Sequence, residues 1–550
     1  MVVSVEQLAV AACKFGEGSL YDYIIAGSGP AGCVLANRLT EDPAVRVLLL
    51  EAGKPDRHPL IHMPAGFAKM TDTLASWGYS TTPQQHLNGR QMWYPQGKVL
   101  GGGSSINAQV FTRGNPNDYN EWATEHGCEG WSHEDILPYY RRSEHNPRFS
   151  NKWHGVGGPL KVSDPEPQMM TQVFVRAAQE AGFPFNPDFN GESQEGFGFY
   201  QTTTHNGRRS SAPVAYIRPA LKRPNLTVET NALVHRIVVD KGRATGVVLK
   251  SGGAERIIKC EREVLVTAGA IGSPKLLLLS GIGPAEELRE LGIDVVADIA
   301  GVGKNLHDHV DIFQVSECSD NYSFDRYKPL HMAAWAGLQY LMFRKGPVAS
   351  NLVDGGGFWW ANKDAPSPDI QFHFLPGSGL EHGVKKISNG VTLNSTIMQP
   401  RSRGSVTLTS SDPHEAPNID PNFWSDPHDL KTSIEGFKIA RKIMMQPSFQ
   451  PYIKGEIAPG PDVQTDDEIA DYGRQNCKTD YHPAGTCRMG PPSDPRTVVT
   501  PDLKVRGIDG LRVIDSSVMP KVVSSNTYSP VVMIAEKGAD LVRGHSITET

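Results

Sequence analysis

Two rhythms of apolar and polar positions run along this chain. Tyr21-Asp22-Tyr23-Ile24-Ile25-Ala26 is a short apolar run of strand type, followed at once by Gly27-Ser28-Gly29-Pro30-Ala31-Gly32 and a helical pattern through Leu39. After Pro43, Val45 to Leu50 reads as a second buried strand ending at Glu51. Strand, glycine turn, helix and strand within so short a span predict a βαβ unit, whose helical crossover makes the strands parallel. Further strands are predicted at Leu226 to Glu229, Ile237 to Val239, Val247 to Leu249, Glu263 to Thr267 and, after the Asp509-Gly510 turn, Leu511 to Ile514. A helical pattern closes the chain from about Pro530 to Val542.

The middle, roughly residues 311–470, carries a different pattern. Leu330 to Phe343 looks like an amphipathic helix holding Trp335 and Tyr340, and Asp369 to Phe374 and Ser405 to Thr409 look like strands. Glycine motifs of the nucleotide type are missing there, which predicts most of a second domain inserted into the first. No internal repeat or low-complexity segment occurs.

The 550 residues are enough for two or more domains. Hydrophobic residues at 39% and charged residues at 21% are ordinary for a globular chain, and 55 Gly with 41 Pro imply many turns. A net charge of −6 argues against a nucleic-acid footprint. No apolar stretch is long enough to span a bilayer. Met1 to Leu20 lacks a positive n-region and is interrupted by Glu6, so it does not read as a secretory signal. Seven scattered cysteines without a C-x-x-C favour neither a disulfide framework nor structural zinc, and point to a reducing cytoplasm.

Chemistry enters with Gly27-x-Gly29-x-x-Gly32 and Glu51. Gly27 allows the tight turn, Gly29 the approach of a pyrophosphate, and Gly32 close helix–sheet packing. The helix N-terminus favours phosphate charge, and Glu51 can accept hydrogen bonds from a ribose diol. This fingerprint is common to NAD and FAD. Gly97 to Asn107, with three consecutive glycines and two serines, suits either a flexible loop or a loop crowding a phosphate or flat ring.

The last stretch, together with Asp22 to Gly53 and Pro83-Gln84-Gln85-His86-Leu87-Asn88-Gly89-Arg90, resembles the glucose-methanol-choline (GMC) oxidoreductase family. The likeness is strongest to its bacterial aliphatic alcohol and choline dehydrogenases. It recurs in Thr267 to Pro274 with Leu279 to Gly283, in Gly301 to His309, in His482 to Gly490, and in Asp515 to Pro520 with Asn526 to Asp540.

The resemblance implies an α/β chain: a Rossmann-like FAD-binding domain (1–160, 205–310 and 470–550) with an inserted α+β substrate-binding domain (161–204 and 311–469). By it, Gly27, Ser28, Gly29, Pro30, Ala31, Gly32, Glu51 and Ala52 hold the ADP half of FAD, and Val234 contacts adenine. Leu100, Gly103, Ser104, Asn107, Ala108, Gln109 and Val110 line the pyrophosphate and isoalloxazine side. Ala268, Gly269, Asp515, Ser516, Asn526 and Thr527 complete the cradle. Covalently flavinylated relatives carry histidine where this chain has Ile106, so FAD is expected to be non-covalent.

Histidine suits an alcohol-oxidising site because its pKa lies near neutrality. The resemblance makes His482 the base. The family's second active-site position, histidine or asparagine, aligns with Tyr528, a departure; a small misregister gives the role to Asn526. His307-Asp308-His309 invites a metal reading, but no third ligand cluster is apparent and no metal is expected. No G-x-S-x-G elbow supports a serine hydrolase.

The expected activity is FAD-dependent oxidation of a primary alcohol to an aldehyde, with electrons passed to a quinone, another acceptor or oxygen. The alternative is a lyase of hydroxynitrile type on the same scaffold. Expected partners are a small alcohol and the acceptor, with no nucleic acid, a cytoplasmic location and peripheral membrane contact. Trp359 and Trp360 are expected in the pocket wall, and Phe374 to Gly379 as a lid.

Overall fold

The computed structural model describes residues 20–70, 74–251 and 254–545. The reading of the N-terminus and Cys13 therefore lie outside the described residues. Strand β1 (Tyr21–Ala26), helix α1 (Pro30–Leu39) and strand β2 (Val47–Glu51) form the expected unit, with β1 and β2 parallel and in register from Tyr23–Val47 to Ala26–Leu50. Both strands are buried throughout, as central parallel strands covered on two faces must be.

Their sheet runs Leu226–Thr230, β2, β1, Ala254–Val266, Arg243–Ser251, Leu233–Asp240, with Leu511–Val513 parallel beside Ala254–Val266. Ala254–Val266 belongs to two patterns. Its first half pairs antiparallel with Arg243–Ser251, and its second half pairs parallel with β1. Thus the early βαβ unit and the C-terminal strand meet on one strand end.

The second sheet is antiparallel, in the order Ile453–Ala458, Val310–Cys318, Gly390–Ile397, Ile370–Leu375, Gly355–Trp359, Gly196–Phe199. Lys478–Thr479 joins it beside Val310–Cys318, just before the His482 loop. Period-two alternation decides its two faces. Phe372 and Phe374 pack into a core with Phe174 and Phe437, from the helices Met169–Glu180 and Pro427–Met444. Gln371, His373 and Leu375 point the other way, and His373 lies opposite Asn394 of the neighbouring strand. The chain is thus a Rossmann-like α/β body with an inserted α+β domain.

Helix α2 (Leu330–Phe343) and the closing helix α3 (Tyr528–Arg543) form where the sequence placed them. Within α3, fully buried Glu536 accepts bonds from Arg38 (2.9 Å), Arg142 (2.8 Å) and Tyr216 (2.8 Å). A carboxylate at such depth requires partners of this kind. Among the described residues, no helix is long and apolar enough to cross a membrane. The six described cysteines are free and buried.

Candidate active site

A long cavity starts at the end of β1 and runs under the second sheet to His482. At the β1 end, Gly27 has φ +114°, and a Cβ there would meet the Thr267 carbonyl at 2.6 Å. A Cβ on Gly32 would lie 2.0 Å from the Gly27 carbonyl, so α1 can seat on β1 only with glycine at this position. The Glu51 carboxylate accepts from the Ser28 amide (3.1 Å) and hydroxyl (2.5 Å) and from the Gly53 amide (2.7 Å). Burial raises its pKa, and these hydrogen bonds pull the other way.

The glycine-rich stretch leans on this turn through Gly101 N to Ser28 O (2.9 Å). Arg209 ties its far end by donating to the Asn107 carbonyl (2.6 Å) and side chain (2.5 Å). Gly103 and Gly269 line the cavity, and a Cβ on either would meet nothing within 4 Å. Gln109, at φ +64°, keeps its buried Oε1 without a hydrogen-bond partner beside the same space. Bare glycine walls, an orphaned acceptor, a helix N-terminus at Gly29 and an acidic strand end fit a dinucleotide such as FAD.

Of the residues expected to hold it, Gly32, Leu100 and Ser104 do not line the cavity, and the others do. Ser104 directs its hydroxyl to the Gly101 carbonyl (2.7 Å) and accepts from the Ala212 amide (3.1 Å), which makes it a brace for the glycine loop.

At the other end, Tyr481 adopts φ +67° and turns His482 inward. Asp308 fixes that turn: it accepts from the His482 amide (2.8 Å), the Thr479 hydroxyl (2.5 Å) and the Tyr94 hydroxyl (2.6 Å). Burial pushes the Asp308 carboxyl up to about 6. His309 Nε2 faces the Met398 carbonyl at 3.2 Å, and its Nδ1 lies 3.0 Å from His482 Nδ1. A carbonyl only accepts, so His309 carries its proton on Nε2. Burial lowers the His309 pKa to about 3, so the ring is neutral and its Nδ1 is an acceptor. His482 must therefore donate from Nδ1, which leaves the lone pair on Nε2.

That atom is 3.4 Å from Asn526 Nδ2. The Asn526 amide is oriented by its Oδ1, which accepts from Thr112 Oγ1 (3.1 Å) and Gln371 Nε2 (3.0 Å). Burial, followed by the neighbouring His309, His373 and Lys478, holds the His482 pKa well below the ordinary value. Tyr528 also lines the cavity, but its hydroxyl donates to the Ser210 carbonyl at 3.2 Å.

The wall beyond His482 is mixed. Asp480 brings Oδ2 within 3.3 Å of His482 Nδ1; burial and the neighbouring Asp311 push its pKa well up. Behind it Lys478 donates to Asp311 (2.5 Å) and Glu381 (3.2 Å), and Asn394 Nδ2 donates to both carboxylates. His373, Glu381, Asn394 and Asp480 line one side; Phe67, Trp77, Tyr79, Val353 and Leu375 supply ring and aliphatic surface.

Several of these were not legible in the sequence. The histidine triplet was read without a third ligand, yet the fold gathers His309, Asp480 and His482 with ligand atoms within 4.8 Å of one another. His307 is elsewhere: it donates from Nδ1 to the Asn305 carbonyl (2.6 Å) and accepts at Nε2 from the Val522 amide (2.7 Å). Trp359 and Trp360 do not line the cavity. Trp359 packs edge-on against Phe183, and Trp360 donates to the Ala365 carbonyl. Trp77 and Tyr79, stacked with centroids 5.7 Å apart, are the aromatic wall instead. Ser378, in the expected lid, is buried and bonded to Asp325 (2.8 Å).

Residues 21–311 and 400–535 match the GMC oxidoreductase family. An alcohol dehydrogenase (acceptor) of Pseudomonas putida is 44% identical over 530 residues, 95% of this chain and 96% of its own. An oxygen-dependent choline dehydrogenase of Brucella anthropi is 42% identical over 528 residues, 96% of each. Among solved structures, pyridoxine 4-oxidase from Mesorbium loti superposes with a TM-score of 0.87 at 27% identity, over 96% of this chain and 99% of that one. A variant of Aspergillus oryzae formate oxidase gives 0.89 at 28% identity, with the same coverage. Motif order, the two-sheet architecture and likeness along the whole length agree, and the chain belongs to the GMC oxidoreductase family.

Proposed function

We propose that this oxidoreductase binds FAD non-covalently and oxidises a primary alcohol to an aldehyde, with His482 as the base. One observation carries the reading: the unprotonated Nε2 of a buried histidine and an oriented amide donor, Asn526, meet in the cavity that the nucleotide fingerprint opens. FAD, when bound, supplies the hydride acceptor, a chemistry the protein side chains lack.

The chain's own residues do the rest. A hydroxyl placed between His482 and Asn526 gives its proton to Nε2 and receives a hydrogen bond from Asn526 Nδ2, which strengthens as negative charge grows on oxygen. His309 keeps accepting from Nδ1, so the ring holds one orientation in both protonation states. The buried walls exclude water, which strengthens each of these interactions. Ile106 lines the cavity and has no nucleophile with which to attach a flavin. Asn526, rather than Tyr528, takes the second active-site role.

Electrons leave to a quinone, another acceptor or oxygen. Relatives named alcohol dehydrogenase (acceptor) and oxygen-dependent choline dehydrogenase support the alcohol class and both disposal routes.

The test is anaerobic mixing of the purified protein with aliphatic, benzylic, polyol and amino alcohols while flavin absorbance is followed. Bleaching by at least one alcohol is expected, with flavin released into the supernatant on acid precipitation. Flavin that stays with the precipitate would reject non-covalent binding, and a flavin no alcohol bleaches would reject the reaction. Oxygen uptake measured beside dye reduction then separates the acceptors.

A further inference from the structure

Helix α2 is apolar around most of its circumference, interrupted by exposed His331 and half-buried Gln339. Its 14 residues, Leu330 to Phe343, contain no charged side chain. Such a helix belongs in a core or against lipid, yet only Ala336 and Tyr340 are buried. Leu330 (87% exposed), Leu338, Leu341, Trp335 (61%) and Met342 form one continuous outward face. An apolar surface of this kind marks an interaction site.

The charges around the helix say what covers it. No acidic residue occurs from Arg326 to Val353, in a chain whose net charge is −6. Lys328 is neutralised by Asp325 at 2.5 Å. Arg326 precedes the helix, and Arg344 and Lys345 follow it, all exposed or half-exposed. Exposed Arg208 adds to this basic end, on a hairpin whose Gly207 packs against the Arg344 carbonyl. An apolar face with an interfacial tryptophan and cations at both ends is complementary to an anionic lipid surface.

We infer that α2 is a docking element that lies in the headgroup region of an anionic membrane without crossing it. The inference goes beyond the proposed reaction and stands without it. The docked face is close to the cavity wall. Tyr340 donates to the His62 carbonyl at 3.4 Å, and Pro347–Ala349 packs on Pro64–Gly66, which runs directly into Phe67. Phe67 and Val353 line the cavity, so an apolar molecule dissolved in the lipid has a short route to the site.

The flavin-loaded protein should float with phosphatidylglycerol–phosphatidylcholine vesicles and much less with pure phosphatidylcholine. Arg344→Glu with Lys345→Glu should weaken binding to the anionic vesicles by about tenfold or more. Trp335→Ser with Leu341→Ser should weaken it comparably through lost apolar contact. Both double variants should keep their flavin, their melting temperature and their flavin reduction by alcohol. Failure of the parent protein to bind anionic vesicles would overturn the inference, as would binding unchanged in both variants. So would sedimentation of the parent as a dimer that Trp335→Ser dissociates while lipid is ignored, which assigns the face to a second copy of the chain.

Discussion

His482 depends on the ring behind it. A histidine free to choose its tautomer would carry the proton on Nε2 much of the time, where it could not act as a base. Since Met398 fixes His309 and His309 fixes His482, the lone pair always faces Asn526. His482→Ala is expected to retain flavin and to slow its reduction by alcohol by about 10² to 10⁴. His309→Phe should slow it on the order of tenfold, because the base survives and only its tautomer is released. Stopped-flow reduction of the two variants under identical conditions checks that order. Equal losses would reduce His309 to a packing residue. Asn526→Ala should cost about 10² in reduction rate. Tyr528→Phe should leave the rate unchanged and cost about 1–2 kcal/mol of stability, since the hydroxyl's bonds to the Ser210 carbonyl and to Ser104 are lost. The motif aligns Tyr528 with the second active-site position, whereas the proposed role falls to Asn526, two positions earlier, whose amide lies 3.4 Å from His482 Nε2. Asn526 lies ahead of α3 and Tyr528 opens it; since even one residue along a helix swings a side chain by about 100° around the axis, spacing in a sequence does not carry the distinction.

Elements built from neighbouring residues were readable, and those built from distant partners were not. The β1–α1–β2 unit shows in its own periodicity because strand, turn and helix each satisfy a local rule. Gly32→Ala tests the tightest point of that unit. A Cβ 2.0 Å from the Gly27 carbonyl forces α1 off the sheet, so the protein should lose flavin content and about 1–3 kcal/mol of stability. Flavin-to-protein absorbance and a urea melt report the two separately. By contrast, Gly355-Gly356-Gly357 has the look of a loop, yet it is the middle of a strand in the second sheet. A Cβ on Gly356 would meet the Phe372 carbonyl at 1.9 Å and the Tyr200 ring at 2.4 Å. Only partners far along the chain explain why glycine stands there. The site is legible to the same degree: the dinucleotide end follows from local motifs, whereas Asp480, Glu381 and Trp77 reach the cavity by tertiary packing alone.

At the scale of the molecule, His307 ties the strand region before the second sheet to the C-terminal segment, and it does so only while neutral. Its Nδ1 donates to Asn305 and its Nε2 accepts from the Val522 amide, so a second ring proton would point at a donor. Burial, followed by the charge on Arg403, places its pKa well below 6.5 in the native state. In the unfolded chain the ring titrates at about 6.5. As pH falls below that value the unfolded state takes up a proton that the native state refuses, so stability is lost on the acid side and is complete above it. Replacing the ring by glutamine keeps a donor and an acceptor but removes the titration. Between pH 6 and pH 5 the parent protein should therefore lose up to about 1.4 kcal/mol per pH unit more than His307→Gln, read as the difference in urea unfolding free energies. The carboxyls with raised pKa, Asp308 among them, are present in both proteins and cancel in that difference. Parallel stability curves for the two proteins across this range would mean that His307 takes up its proton in the folded state, and that the Val522 contact yields before the fold does.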